Sequence, residues 1–113
     1  MRNVLLDMSE PGVVIVVLEG EHELFGAMKL QRRLYALIDE GLALVVDLTR
    51  TTFLDSSIVS VLLRAQERAR RDGTRYAIIL DESSGDSVRR MFEITGLDRY
   101  LPVVPTREAA LAR

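Results

Sequence analysis

Within the 113 residues of this chain, the run with the most chemical potential is Asp55-Ser56-Ser57. An aspartate in that place can accept hydrogen bonds from the backbone N–H groups two and three residues on, which makes it a good helix N-cap. Ser56 and Ser57 then fall in the first helical turn, among N–H groups that have no intrahelical partner, at the positive end of the helix dipole. Two readings follow. The run is an ordinary capping cluster, or it is a phosphate site. A phosphoserine carries about −1.5 to −2 charge at pH 7, and a helix N-terminus is one of the few places where a folded domain holds that charge at little cost. Asp55 opposes it by like-charge repulsion. The net effect of phosphorylation is then a change of surface charge with little change of fold, which suits a binding switch.

Other chemistry is scarce. The chain has one histidine, His22, and no cysteine or tryptophan. Disulfides, cysteine-ligated metals, multi-histidine metal sites and cysteine nucleophiles are excluded. A Ser-His-Asp constellation of Ser56, His22 and Asp55 lacks a nucleophile elbow, an orienting partner for the histidine and an oxyanion hole. His22 is therefore expected in an exposed loop, and the chain is expected to be no enzyme, with no catalytic residue, no metal and no cofactor. Ser83-Ser84-Gly85-Asp86-Ser87 lacks the lysine and spacing of a phosphate-cradling loop and reads as capping for a following helix. Arg64, Arg68, Arg70, Arg71 and Arg75 read as a solvated helix face or a contact for an acidic partner. Fifteen basic against seventeen acidic side chains give a net charge of −2. That balance offers no footprint for nucleic acid. No apolar run reaches the roughly 18–20 residues of a membrane span, and Asp7 interrupts the first apolar stretch too early for a signal peptide. The expected location is the cytoplasm.

The elements that must position Asp55-Ser56-Ser57 alternate in type. Val13–Leu18, Leu42–Leu48 and Tyr76–Leu80 are apolar on both pleat faces and read as strands covered on both sides. Val4–Leu6 is shorter and lies nearer an edge, and Tyr100–Val104, with Pro102, is an edge or terminal strand. Between them the period becomes helical. Ala27, Leu30, Leu34 and Leu37, with Met28 and Ile38 beside them, mark a helix from Leu24 to Glu40 that Gly41 closes. Ile58, Val61, Leu62, Ala65 and Ala69 mark a second, ended by Asp72-Gly73. Val88, Met91, Phe92 and Thr95 mark a third, closed by Gly96, and Thr106–Ala112 a fourth. Met28 and Met91 are expected in the core. The segment Val45–Ile58 reads as the loop that joins a buried strand to the second helix. The expected fold is a single α/β domain over residues 1–113, with a central, mostly parallel mixed sheet of four to five strands and about four helices.

Several of these pieces share a pattern. Asp47-Leu48 followed by Phe53-Leu54-Asp55-Ser56-Ser57 resembles the signature of STAS domains, most closely the bacterial anti-anti-sigma factors. Val17-Leu18-Glu19-Gly20-Glu21 is similar to the family's second strand and Gly-Glu turn, Arg89–Leu97 to its third helix, and Leu101-Pro102-Val103 with Thr106–Ala110 to its C-terminal end. The resemblance covers nearly the whole chain. It implies an anti-sigma factor antagonist that binds an anti-sigma factor, itself a serine kinase, while unphosphorylated. The kinase then modifies the serine after the aspartate, the product lets go, and a phosphatase resets it. On this chain the implied phosphoacceptor is Ser56, with Asp55 and Ser57 as its motif neighbours and Glu21, Glu23 and Ile58 at the partner surface. Two positions depart from the family pattern: Ile58 where glycine is usual, and His22-Glu23 where Leu-Asp is usual. The alternative reading is a STAS domain that is never phosphorylated and serves as a scaffold subunit in a stress-signalling or membrane transport complex.

Overall fold

Six consecutive buried residues, Val13–Leu18, lie at the heart of the molecule. The computed structural model describes residues 2–113. The strands are β1 (Arg2–Asp7), β2 (Val13–His22), β3 (Ala43–Asp47), β4 (Thr51–Leu54), β5 (Tyr76–Ile79) and β6 (Val103–Val104). The helices are α1 (Leu24–Asp39), α2 (Ser56–Asp72), α3 (Asp86–Thr95) and α4 (Arg107–Leu111), with one 3-10 turn at Leu97–Arg99. The sheet runs β1-β2-β3-β5-β6. β1 is antiparallel to β2, and every other pairing is parallel.

Both faces of the sheet are covered, which is why β2, β3 and β5 read as continuous apolar runs. Val14, Val16, Leu18, Leu44, Val46 and Ile78 face α1, α2 and α3. Val13, Ile15, Val17, Ala43, Val45, Ala77 and Ile79 face α4 through Ala110, with Ala109 and Leu111 packed against them. The helical stripes behave as their spacing predicts: α1 buries Ala27, Leu30, Leu34, Leu37 and Ile38, and α2 buries Ile58, Val61, Leu62, Ala65 and Ala69. Gly41, Gly73 and Gly96 follow α1, α2 and α3 with φ of +80°, +72° and +66°, the left-handed conformation that ends a helix without strain on glycine. Among the described residues no helix is long and apolar enough to cross a membrane.

The sheet has one more strand than the sequence reading expects. Thr51–Leu54, read as loop, is β4 and pairs with Gly20–His22 at the far end of β2. Gly20 pairs with β1 on its other side, so β4 takes the same edge of β2 as β3, beyond the point where β3 stops. The Thr51 hydroxyl donates to the buried Leu18 carbonyl at 2.7 Å, and Gly20 N–H donates to the Arg50 carbonyl at 3.1 Å. The Gly-Glu turn expected at Gly20-Glu21 is accordingly a strand with a register shift between those residues. At the other edge, β6 is only Val103–Val104, because Leu97–Arg99 coils just before it.

Three further expectations are corrected. Met28 is 60% exposed rather than core, one position off the buried stripe. The serines of Ser83–Ser87 do not cap α3, whose N-cap is Gly85 with no side-chain bond. They fasten the loop to its neighbours instead: Ser83 Oγ donates to the Thr49 carbonyl, Ser87 Oγ donates to the Thr52 carbonyl, and Ser84 Oγ accepts from Asp81 N–H. The arginines of α2 are partly spent on α1, since Arg68 bonds both carboxylate oxygens of Asp39 at 2.9 and 2.8 Å and lies 4.3 Å from the centre of the Tyr35 ring.

Gly85 is where α3 meets β4. Its N–H donates to the Thr51 carbonyl at 2.8 Å, and a Cβ there would lie 2.6 Å from the Thr52 carbonyl oxygen. Backbone cannot yield as a side chain can. Gly85→Ala is therefore expected to destabilise the fold by about 1–3 kcal/mol, read as a lower denaturation midpoint at unchanged denaturant dependence; an unchanged midpoint contradicts this packing.

Candidate functional site

The parallel pairing of β4 with the end of β2 builds the site. Glu21 stands opposite Phe53 and His22 opposite Leu54. Each strand then turns directly into a helix, β2 into α1 and β4 into α2, so two helix N-termini lie side by side. Asp55 is the N-cap of α2 with extended backbone. Its Oδ1 accepts from Ser57 N–H at 3.0 Å and Ile58 N–H at 3.3 Å, and also takes the Ser57 hydroxyl. Its Oδ2 accepts from Leu24 N–H at 3.1 Å. Leu24 is the first residue of α1, whose own N-cap, Glu23, makes no side-chain capping bond. One carboxylate thus caps two helices. Burial raises the Asp55 pKa, but the bonds from the Ser57 hydroxyl and the three N–H groups outweigh it and hold the group below the usual carboxylate range.

The two serines are not equivalent. Ser57 is half-buried with its hydroxyl committed to Asp55. Ser56 is exposed in the first turn of α2, and its hydroxyl makes no hydrogen bond among the described residues. Glu21 and Glu23 are exposed beside it. Ile58 is fully buried in the main core, which corrects its expected place at a partner surface: as the third residue of α2 it points inward with Val61 and Leu62. Sequence reasoning missed the apolar surface around Ser56. Leu24, Phe25 and Met28 are 72%, 89% and 60% exposed at the start of α1, and Phe53 is half-exposed on β4. The available signal was their position off the buried helical stripe.

His22 is the second correction. It is 2% exposed, on a strand, with Nε2 donating to the Glu19 carbonyl at 2.9 Å. Burial lowers its pKa from 6.5, and the Arg2 charge adds to that, against hydrogen bonds that the ring donates to the backbone of Glu19 and Asn3, which raise it. It takes no part in a Ser56 constellation. The native state therefore binds a proton at His22 less readily than the unfolded chain, so stability falls as pH drops through about 6.5.

Two measurements test this site. Asp55→Ala removes both caps and is expected to cost about 2 kcal/mol, at the upper end of single-cap losses; a cost near zero contradicts the double cap. Denaturant titrations at pH about 7.5 and about 5.5 should show the wild-type chain losing stability at the lower pH, with His22→Asn much less affected. Asp7, Glu19, Asp39, Asp55 and Asp81 are all held low, so their contributions fade below about pH 5 and leave that window clear. An equal loss in His22→Asn would assign the effect elsewhere.

Comparison with known proteins places this geometry. The STAS domain model matches residues 2–110. The Bordetella bronchiseptica protein BtrV, named as a candidate anti-sigma factor antagonist, is 32% identical over 102 residues, covering 89% of this chain and 85% of its own. The crystal structure of an anti-sigma factor antagonist from Mycobacterium paratuberculosis superposes with a TM-score of 0.84 at 28% identity, over 99% of this chain and 92% of that one. The unphosphorylated form of the anti-sigma factor antagonist SpoIIAA shares the fold, with a TM-score of 0.76 at 24% identity over 98% and 95% of the two chains. With an exposed serine following the aspartate that caps its second helix, and with this sheet order around it, the chain belongs to the STAS domain family.

Proposed function

We propose that this domain is an anti-sigma factor antagonist of the cytoplasm that works as a phosphorylation switch. Unphosphorylated, it binds an anti-sigma factor that is also a serine kinase. Phosphorylation of Ser56 releases it, and a phosphatase restores it. The domain receives a phosphoryl group and catalyses nothing itself.

The observation that carries this reading is the division of labour between the two serines. Ser57 gives its hydroxyl to Asp55, whereas the Ser56 hydroxyl is exposed and uncommitted. A kinase therefore meets one accessible nucleophile on a rigid helix start. The surrounding surface suits a protein partner: Leu24, Phe25, Met28 and Phe53 offer apolar contact, with Glu21 and Glu23 as charged rim. A phosphate at Ser56 adds charge and bulk beside Asp55 and desolvated apolar side chains, where it weakens an interface. The relatives named as anti-sigma factor antagonists support the same partner class. Ile58 does not argue for a permanent scaffold, since its side chain lies in the core and leaves the Ser56 surface unchanged.

Incubation with ATP and the cognate kinase, followed by peptide mass spectrometry, is expected to place one phosphate on Ser56 and none on Ser56→Ala. Ser56→Asp is expected to weaken binding to the unmodified partner by about tenfold or more, the effect of about 1.4 kcal/mol. Labelling of Ser56→Ala, or a Ser56→Asp domain that co-purifies with its partner undiminished, overturns the switch.

A further inference from the structure

The two edges of the sheet are finished in opposite ways. An edge strand offers unpaired N–H and C=O groups to other chains, and folded domains blunt such edges with shortness, proline, bulges or charge. β6 is blunted: it is two residues long and lies between Pro102 and Pro105. β1 is not. It is six residues long, contains no proline, ends the sheet and keeps an unbroken register with β2 from Arg2 to Asp7. Leu5 and Leu6 are each 44% exposed, and Met8 just beyond them is 56% exposed.

The pairing decides which backbone groups of β1 are open. Gly20 gives its N–H to the Arg50 carbonyl, and the Leu18 carbonyl takes the Thr51 hydroxyl, both on the side of β2 away from β1. Their partners on β1, Arg2 and Val4, therefore turn their own N–H and C=O groups outward, and by the alternation of an antiparallel ladder so does Leu6. Asn3, Leu5 and Asp7 bond inward to β2. The side chains divide by face. Val4 and Leu6 stand beside Leu18 and Val16 under α1, and Leu5 stands beside Val17 on the side of α4.

This edge is complementary to itself. When two antiparallel strands are related by a twofold axis, the residue on the axis meets its own copy. With the axis at Leu5, Leu5 meets Leu5, Val4 of one protomer meets Leu6 of the other, and Asn3 meets Asp7. Apolar residues then face apolar ones, and an amide donor faces a carboxylate. Asn3 already donates to Glu19 at 3.3 Å and Asp7 already accepts from Arg107 at 2.7 Å, but the amide has a second hydrogen and the carboxylate further lone pairs. Moving the axis to Val4 would set Asn3 against Leu5, and moving it to Leu6 would set Leu5 against Asp7. Because Leu5 bonds inward, the Leu5 pair is of the non-hydrogen-bonded kind, in which side chains approach most closely, while Val4 and Leu6 exchange both backbone bonds on either side of it.

We propose that β1 is an interface between two copies of this chain, joined edge to edge about a twofold axis at Leu5 into one continuous sheet. The contact is small, so the dimer is weak and depends on concentration. It is independent of Ser56 and lies outside the partner-switch reading.

Sedimentation of the full chain from about 10 μM to about 1 mM, the span of weak affinities, is expected to show a monomer giving way to a dimer. Amide exchange followed by NMR over the same range identifies the register: the Val4 and Leu6 N–H groups gain protection as the dimer forms, whereas the Leu5 N–H is protected throughout. Leu5→Lys sets like charges opposite each other at the axis and is expected to weaken association about tenfold or more, the effect of about 1.4 kcal/mol. Position 5 is exposed enough for the lysine to reach water in the monomer, so the dilute variant should keep the wild-type unfolding midpoint. Leu6→Pro removes an outward N–H that no intramolecular bond uses and should also leave a folded monomer. Ser56→Asp should dimerise as the wild type does. A chain that stays monomeric throughout overturns the interface, and so does a dimer with unprotected Val4 and Leu6 amides or one that Leu5→Lys leaves undiminished. Protection of those amides only when a different protein is added assigns the edge to that protein and equally overturns self-pairing.

Discussion

Two helices in this domain start from one carboxylate. Asp55 satisfies N–H groups at the head of α2 and, through its other oxygen, the first N–H of α1. Helix heads concentrate unpaired donors, and two of them brought together would leave a patch of unmet positive potential. A single aspartate settles both. It also fixes their relative position, because the two oxygens of a carboxylate are rigidly spaced. Everything exposed around Ser56 inherits that geometry: Leu24 and Phe25 on one helix, Ser56 on the other, and the strand ends bearing Glu21 and Phe53 between them.

The arrangement depends on β4, which brings the head of α2 to the head of α1. Four residues make a weak strand, and β4 is secured from three directions: by its register with Gly20–His22, by the Thr51 hydroxyl on the Leu18 carbonyl, and by Gly85 pressed against Thr52. α3 thus braces the site without contributing a residue to its surface. The segment that leads into it, Ser83-Ser84-Gly85-Asp86-Ser87, whose last two residues open the helix, resembles a binding loop in composition, but its hydroxyls are used to hold that brace in place.

How far these features could be read from sequence depended on what each residue's partner was. Val13–Leu18 announces a doubly covered strand because burial on both faces removes polar residues from both, and the helical stripes of α1 and α2 are legible for the same reason. Asp55 is legible as a cap of α2, since its targets lie two and three residues on. Its bond to Leu24 is not, because that partner is 31 residues away. His22 misleads: a lone histidine beside glutamates reads as surface, but a backbone carbonyl makes its burial tolerable and leaves no trace in the sequence. Thr51–Leu54 was too short and too mixed in polarity to read as a strand. Ile58, at a position where glycine is usual in the family, suggests altered recognition until the helix phase turns it into the core.

The two faces of the sheet are covered very unequally. Three helices seal one side, while the apolar residues Val13, Ile15, Val17, Ala43, Val45, Ala77 and Ile79 on the other rely on the five-residue α4. A helix that short has little stability of its own. It is moored at its first residue, where Arg107 reaches Asp7 at 2.7 Å and Asp47 at 3.7 Å. α4 and the apolar strip it covers lie on the face of the sheet opposite the two capped helices, so loss of α4 would bare that strip without removing any of the hydrogen bonds that hold Asp55 at the two helix heads.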